Sequence, residues 1–410
     1  MDLQRSLCDE HASEAAFLWT QRDRAVSDPC YDRRDLAALD ERLEAHLDGL
    51  RFAGKMGVEC ATATVVDEPA AGEAFVAMLV AIELRNLRAI ANILDLVGDD
   101  VGSSRGIVSA LGWAPQDLFE ALLPGFLAKR CPPALHRMGI AACAIRRILP
   151  PNSMLEHALA STNAPLRARA LRAVGELKNQ PLIHQVRASL EDTDESCRFW
   201  AAWSGSLLGD TRAVEMLWAF ANRPGDFAER AATMAACRLD ARLVVNDVPA
   251  LAKVDEGFRP AFAAAAALGD PVLVPWLMDR MADPVMARRA GLALSMITGV
   301  DLGSTPLEGE APEGFAPGPN DDTANEDVSL DPDDGLPFAN LDAVRTWWEQ
   351  ERGRFEVGNR YFLGKPVTDG QWLEDVLERG HQVARASAAI QLTLAHRRKV
   401  LPEVRAVGWR

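Results

Sequence analysis

The chain has 410 residues, and its 44 Lys and Arg against 59 Asp and Glu give a net charge of −15. With 48% hydrophobic and 25% charged residues, the composition is typical of a globular protein with an ample core and excludes a disordered chain. No uncharged apolar stretch approaches the roughly 18 residues of a spanning helix, and residues 1–14 hold no apolar signal core. These observations predict a cytoplasmic protein without a membrane segment.

The N-terminal part, residues 1–118, is predicted to be a helical cap. Its first clear helix has four leucines at three- and four-residue spacing, typical of one buried face: Leu36, Leu39, Leu43 and Leu47. Glycines at 49 and 54 are expected to end that helix. A second helix is predicted from about Glu73 to Leu96.

A repeat follows. From residue 181 the chain divides into blocks of 30 residues, 181–210, 211–240, 241–270 and 271–300, and weaker blocks precede them. Each block contains two short helical patterns, and the cuts align Leu208-Gly209-Asp210 with Leu268-Gly269-Asp270. One short helix pair cannot bury its apolar face without stacked neighbours. The period therefore predicts an all-α solenoid array over residues 119–300, and no strand pattern is present.

An arginine recurs with the repeat in the second helices, at Arg167, Arg198, Arg259 and Arg289. Such an arginine is expected to pair with an acid in a turn between repeats rather than with a ligand. The array as a whole is nearly neutral, since residues 151–300 hold 16 basic and 17 acidic side chains.

Residues 301–340 are rich in Gly, Pro and acids, and 301–342 contain twelve Asp and Glu but no Lys or Arg. Such a stretch cannot bury enough apolar surface to order itself, so a long flexible linker or surface loop is expected. Two interpretations stay open, a solvated spacer and an acidic contact segment for a basic partner. The acids proposed for such a contact are Asp321, Asp322, Glu326, Asp327, Asp331, Asp333 and Asp334.

The last part, residues 341–410, is predicted to be a helical domain with helices at 341–352 and 371–396. Aromatic residues gather here, and they either pack as core or anchor a protein interface, for which Trp, Tyr and Arg are the typical residue types. The residues proposed for such an interface are Trp347, Trp348, Arg360, Tyr361, His381 and Gln382.

The repeat motif resembles a known family. Asp194, Arg198, Ala201-Ala202 and Leu208-Gly209-Asp210 together resemble the short HEAT repeat of the phycobilisome-lyase type. Segments 11–19, 39–50, 109–113 and 360–364 resemble a proteobacterial family of HEAT-repeat proteins of unassigned function, often met near type VI secretion genes. The resemblance implies a HEAT-type solenoid and a type VI secretion setting.

No convergent catalytic set is visible in the sequence. The seven histidines include no HExxH pair, and the match of Gly49–Met56 to a phosphate-binding loop fails at Met56, where Ser or Thr is required. The cysteines are spaced too widely for a zinc site or a disulfide framework. We therefore expect neither cofactor nor metal.

The resulting hypothesis is a non-enzymatic, protein-binding scaffold or adaptor, and the resemblance adds a type VI secretion accessory or immunity role. The expected partner is another protein, with no nucleic acid and no membrane. The alternative is a HEAT-like nucleic-acid-binding protein or enzyme, similar to a DNA glycosylase or a lyase. The near-neutral charge of residues 151–300 disfavours it, since phosphate binding needs a basic groove.

Overall fold

A computed structural model shows a chain built almost wholly from short α-helices. The structure describes residues 3–128, 130–253, 257–315, 317–318, 331–395 and 397–406. These residues group into two compact units. The first unit comprises the described residues of 1–208, 377–389 and 398–410, and the second those of 209–376 and 390–397.

The helices up to residue 208 belong to the first unit. They are α1 Leu3–Ala25, α2 Arg33–Ala53, α3 Lys55–Asp67, α4 Ala71–Glu83, α5 Leu87–Val97, α6 Ser104–Trp113, α7 Gln116–Phe126, α8 Pro133–Ile145, α9 Asn152–Leu159, α10 Ala164–Glu176, α11 Ile183–Ala188 and α12 Glu195–Leu207.

The remaining elements begin with the helices of the later repeats. They are α13 Thr211–Ala221, α14 Ala228–Arg238, α15 Ala241–Val244, α16 Val248–Leu251, α17 Phe258–Leu268, α18 Val274–Arg280, α19 Pro284–Thr298 and α20 Leu341–Glu351. An antiparallel hairpin of β1 Tyr361–Phe362 and β2 Lys365–Pro366 follows, and then α21 Gly370–Arg379 and α22 Gln382–Leu394.

The acids that recur in the turns are helix caps. Asp194 accepts a hydrogen bond from the Cys197 backbone N–H at 2.9 Å, and Asp270 starts the next repeat in the same way. Gly269 has a φ of 72° and ends α17, because glycine adopts this left-handed conformation without the steric cost of a Cβ atom. The Leu-Gly-Asp motif thus ends one helix and caps the next.

The second helices of the repeats form a buried layer. In the first unit α10 packs against α8 and α12, and the layer continues through α6 to α4. In the second unit α17 packs against α14 and α19. Alanines that are fully buried allow these helices to approach closely, among them Ala201, Ala202, Ala231, Ala261 and Ala265. The predicted all-α solenoid is confirmed.

Several predicted boundaries were wrong. The helix expected from Glu73 to Leu96 is two helices, because Arg85 takes a left-handed φ of 54° and Asn86 caps a new start. Gly49 lies inside α2, which ends at Gly54, so the Gly49–Met56 segment forms no phosphate loop. The pattern over 371–396 is divided between α21 and α22, and the short hairpin was not expected. Among the described residues, no helix is long and apolar enough to cross a membrane.

Candidate functional site

The aromatic cluster proposed at residues 347–361 is mainly core of the second unit. Trp348 is buried, with its ring 5.6 Å from that of Phe355, and Phe355 meets Tyr361 edge to face at 5.1 Å. The Tyr361 hydroxyl accepts a hydrogen bond from the Glu356 backbone N–H at 3.0 Å. Trp348 and Tyr361 therefore stabilise this unit, and Trp347 is half-buried at the edge of the cluster.

Arg360 holds the ends of two helices. Its guanidinium donates to the backbone carbonyls of Cys237 at 2.9 Å, Ala267 at 2.8 Å and Leu268 at 3.1 Å. These carbonyls lie in the last turns of α14 and α17, where the helix supplies no N–H donors for them. The contacts of Arg360 are thus directed into its own unit.

His381 and Gln382, the other two proposed interface residues, lie in the first unit. Gln382 is fully buried, its backbone N–H donates to the Tyr31 carbonyl at 2.7 Å, and its side chain donates to the Val404 carbonyl at 3.2 Å. His381 is exposed. The six proposed residues therefore fall into two groups in different units, and their role in binding a protein stays a prediction.

Part of the acidic segment lies on arginines of the second unit. Asp333 is buried, and its two carboxylate oxygens accept from Arg259 of α17 and Arg289 of α19, each at 2.6 Å. Asp331 pairs with Arg288 of α19, also at 2.6 Å. Arg288 in addition donates to the Asp333 carbonyl at 2.9 Å. Two of the proposed acids thus contact basic residues of their own chain.

The expectation of a flexible linker needs correction for the described residues at either end of the segment. Gly309 donates to the Phe338 carbonyl at 2.9 Å, and Phe315 meets Phe338 edge to face at 5.5 Å. The Arg288 guanidinium lies over both rings, 5.4 Å and 5.2 Å from their centroids. Ion pairs and aromatic packing order these residues. The Gly, Pro and acid content, from which a flexible segment was expected, does not predict such contacts.

The other acids of the segment have no such contacts in the described structure. Asp334 is exposed. Asp321, Asp322, Glu326 and Asp327 lie outside the described residues. Their contact with a basic partner stays a prediction.

Of the recurring arginines of the first unit, Arg167 pairs with a turn acid as predicted, whereas Arg198 bonds to turn carbonyls instead. Arg167 forms a two-pronged pair with Asp192 in the next turn, at 2.9 and 2.8 Å. Arg198 donates to the carbonyls of Asp192 at 2.8 Å and Thr193 at 3.0 Å. Arg167 therefore connects two repeats, and Arg198 holds the turn within its own repeat.

The first unit also contains a cavity of about 390 Å³ that was not anticipated from the sequence. One wall is aromatic: Trp19 stacks on Phe75 at 5.5 Å, and Phe75 meets Trp113 edge to face at 5.2 Å. The Trp19 indole N–H donates to the Ser109 hydroxyl at 3.1 Å, which fixes the ring. The apolar lining is completed by Val26, Val101, Val108, Met138, Ala141 and Ile145.

The rest of the lining is strongly basic. Two acids, Asp23 and Glu403, stand against six arginines: Arg22, Arg105, Arg137, Arg169, Arg172 and Arg405. Arg22 pairs with the buried Asp40 behind the wall, and Arg105 pairs with Asp23. Two of the remaining arginines, Arg137 and Arg169, are less fully neutralised by the described residues.

Arg137 is buried at 9% exposure and forms no ion pair with a described carboxylate. Its hydrogen bonds reach the backbone carbonyls of Asp99 and Asp100 only at 3.5 Å. Burial lowers the pKa of Arg137, and the nearby Arg169 lowers it further, while the charges of Asp99 and Asp100 oppose this shift. The site therefore holds a buried cation with weak partners.

Arg169 and Arg172 share a single carboxylate. Glu176 is buried and accepts from Arg169 at 2.9 Å and Arg172 at 2.8 Å. Burial would raise the pKa of Glu176, but Arg169 and Arg172, with smaller contributions from Arg147 and Arg405, outweigh it and hold that pKa far below its usual range. Arg169 Nη1 is buried without a hydrogen-bond partner among the described residues.

The C-terminal residues 403–406 contribute to one side of the cavity. Glu403 pairs with Arg405 at 2.8 Å and with Arg147 at 3.4 Å. Burial would raise the pKa of Glu403, but Arg405 and Arg147 lower it to about 2. Arg22 donates to the Arg405 carbonyl at 3.0 Å and thereby attaches this segment to α1.

Little in the sequence pointed to this cavity. The one available signal was the spacing of Arg169, Arg172 and Glu176, which places all three on one face of α10. Only Arg167 of this helix had been singled out, because it recurs with the repeat. The cavity combines residues from α1, α6, α8, α10 and 403–406, which no local pattern connects.

The described residues contain no group of three or more His, Cys, Asp or Glu that could hold a metal ion. His11 and His46 meet through their Nδ1 atoms at 3.2 Å, and His136 stacks on His157 with ring centroids 5.9 Å apart. Burial lowers the pKa of His136, and His157 adds to that shift. Both histidine pairs are contacts between helices.

Residues 152–237 match the family model for HEAT repeats. This segment is similar to HEAT repeats. The match runs from α9 into α14, the region in which alanine-rich second helices stack and in which Asp194 and Asp210 cap α12 and α13. HEAT repeats commonly serve as scaffolds for protein interaction. No curated protein sequence matched the chain.

Proposed function

We propose that the protein is a non-enzymatic scaffold that binds another protein through the arginines of its second unit. The observation behind this proposal is the contact of Asp331 and Asp333 with Arg259, Arg288 and Arg289. A surface that holds an acidic stretch of its own chain has the charge and spacing to hold an acidic stretch of a partner. The partner is therefore a protein with clustered Asp or Glu.

The chemistry of the surface supports peptide binding. Arginine recognises carboxylates with a planar, rigid set of donors, and it also stacks on aromatic rings. Arg288 does both, since it pairs with Asp331 and lies over Phe315 and Phe338. An acidic segment with an aromatic residue nearby reproduces both contacts.

The scaffold also has a proposed cellular role. We propose a cytoplasmic accessory or immunity role in type VI secretion, and its support is the resemblance of segments 11–19, 39–50, 109–113 and 360–364 to the proteobacterial family. Co-purification of a secretion component with the chain tests it. Stoichiometric capture of a partner unrelated to secretion would contradict it.

Affinity purification with crosslinking and mass spectrometry from the native cell tests the scaffold. Three full-length baits are compared: the unchanged chain, Asp331→Asn/Asp333→Asn, which releases the arginines, and Arg259→Gln/Arg289→Gln, which removes them. We expect one stoichiometric protein with an acidic segment crosslinked near α17 and α19. Its yield should rise with the released arginines and fall when they are removed.

Asp334→Asn is the matched control, because it removes an exposed acid without freeing an arginine. Capture of nucleic acid alone, or of a protein whose yield is the same with all four baits, would overturn the proposal. Circular dichroism of each bait excludes unfolding as the cause of a lost partner.

A further inference from the structure

We propose that the cavity of the first unit binds a small organic anion, an apolar body about the size of one or two rings that carries a carboxylate or phosphate group. This inference is independent of the proposed scaffold function, because that surface lies in the second unit. The two proposals can fail separately.

Size and lining favour a small molecule. Ligand pockets typically measure roughly 300–1,000 Å³ and are lined by apolar and aromatic side chains with a few placed polar groups. This cavity has about 390 Å³, with Trp19 and Trp113 on one wall and Val108, Met138 and Ile145 beside them. The rings are held by their packing on Phe75, so the apolar wall is preformed.

The charge of the lining arginines favours a negatively charged ligand. Arg169 and Arg172 share Glu176, and Arg137 has only two long bonds to carbonyl oxygens. Arg137 and Arg169 thus place two positive charges near each other, and Arg169 shares the negative charge of Glu176 with Arg172. Buried cations with too few partners are costly, and a bound anion removes that cost.

Geometry places the anionic group at one end of the cavity. Arg137 lies on α8 and Arg169 on α10, neighbouring helices of the buried layer. Arg169 Nη1 has no hydrogen-bond partner among the described residues, so it has a donor available for an incoming oxygen. We infer that the carboxylate or phosphate lies between Arg137 and Arg169, and that the apolar body extends along Trp19 and Trp113.

The probe for this test is 1-anilinonaphthalene-8-sulfonate, an aromatic anion whose fluorescence rises on binding in an apolar pocket. We expect a single saturable site on the full chain. 2-Naphthoate should displace the probe at a concentration at least tenfold lower than neutral 2-naphthalenemethanol. Equal displacement by the two competitors would overturn the role of the arginines.

Arg137→Gln should weaken probe binding by tenfold or more. Arg198→Gln is the matched control, since Arg198 belongs to the same unit, bonds two turn carbonyls and does not line the cavity. The control should bind like the unchanged chain. Equal loss in both variants, or no loss in Arg137→Gln, would contradict the proposal.

Val108→Trp is a second test of the cavity, and it leaves every arginine in place. Val108 lines the cavity from α6, so a larger side chain fills the volume and should abolish probe binding. This variant decides the question if Arg137→Gln unfolds by circular dichroism. Unchanged binding in folded Val108→Trp would show that the probe binds elsewhere and would overturn the site.

Discussion

The arginines of the second unit and those of the first differ in the number of carboxylates that meet them. In the second unit Arg259, Arg288 and Arg289 face Asp331 and Asp333, and both acids are largely buried in the contact. The acids come from a segment that precedes α20 and lies outside the repeats. This surface is filled by its own chain.

In the first unit fewer carboxylates meet the arginines of the buried layer. Arg137, Arg169 and Arg172 come from neighbouring helices of the buried layer, and Glu176 alone is shared by two of them. The cavity beside them remains open at about 390 Å³. In this chain, arginines on second helices stabilise the fold where a remote segment supplies their carboxylates, and the proposed anion site lies where the described chain supplies fewer of them.

The largest expected effect on stability comes from removing the contact of Asp333 with Arg259 and Arg289. Asp333→Asn should lower the free energy of unfolding by about 3–5 kcal/mol, because it leaves Arg259 and Arg289 without their shared carboxylate in a buried place. Urea denaturation followed by circular dichroism measures it. The exposed Asp334→Asn should change stability by less than about 0.5 kcal/mol, and equal effects of the two substitutions would contradict the comparison.

Glu176→Gln makes the first unit still poorer in carboxylates. We expect a loss of about 3 kcal/mol in the free energy of unfolding, since two arginines lose their charged partner. Under conditions where the variant is folded, the dissociation constant of the fluorescent anion should fall. Weaker anion binding in a folded variant would break the argument that missing carboxylates create the site.

The pH dependence of the first unit follows from Glu403. Its pKa lies at about 2 in the folded chain against an ordinary value of 4.5, so the charged form stabilises the fold above pH 4.5. That stabilisation, at most about 3 kcal/mol, is lost as the pH falls from 4.5 towards 2.

Denaturation of the unchanged chain and Glu403→Gln at pH 7, 4 and 2.5 checks this expectation. The stability difference between them should be largest at pH 7 and shrink towards pH 2.5. A difference that stays constant over this range would show that Glu403 acts through packing rather than charge.

The smallest effect is expected for the pair between adjacent repeats. Asp192→Asn should cost about 1 kcal/mol, because Arg167 and Asp192 keep 15% and 12% of their side chains exposed and water can replace part of the contact. Thermal unfolding measures the change. A loss as large as that of Asp333→Asn would show that local and remote pairs stabilise the array equally.

The architecture could be predicted because its causes are local. Leu-Gly-Asp turns mark where one helix ends and the next is capped, and buried alanines recur on the second helices. The partner of Arg167 was equally accessible, since Asp192 lies 25 residues further on, within the next turn of the repeat. The predicted helix boundaries were wrong at single residues such as Arg85, whose left-handed conformation divides an apolar pattern into two helices.

By itself, then, the sequence determined the helix pairs, their caps and their buried faces, since helical period and turn chemistry act over a few residues. Only the tertiary structure decided which distant groups meet. Asp333 reaches Arg259 across 74 residues, and the cavity joins α1, α6, α8 and α10 with residues 403–406. A periodic pattern predicts which face of a helix is buried. Which segment packs against that face depends on long-range packing and charge.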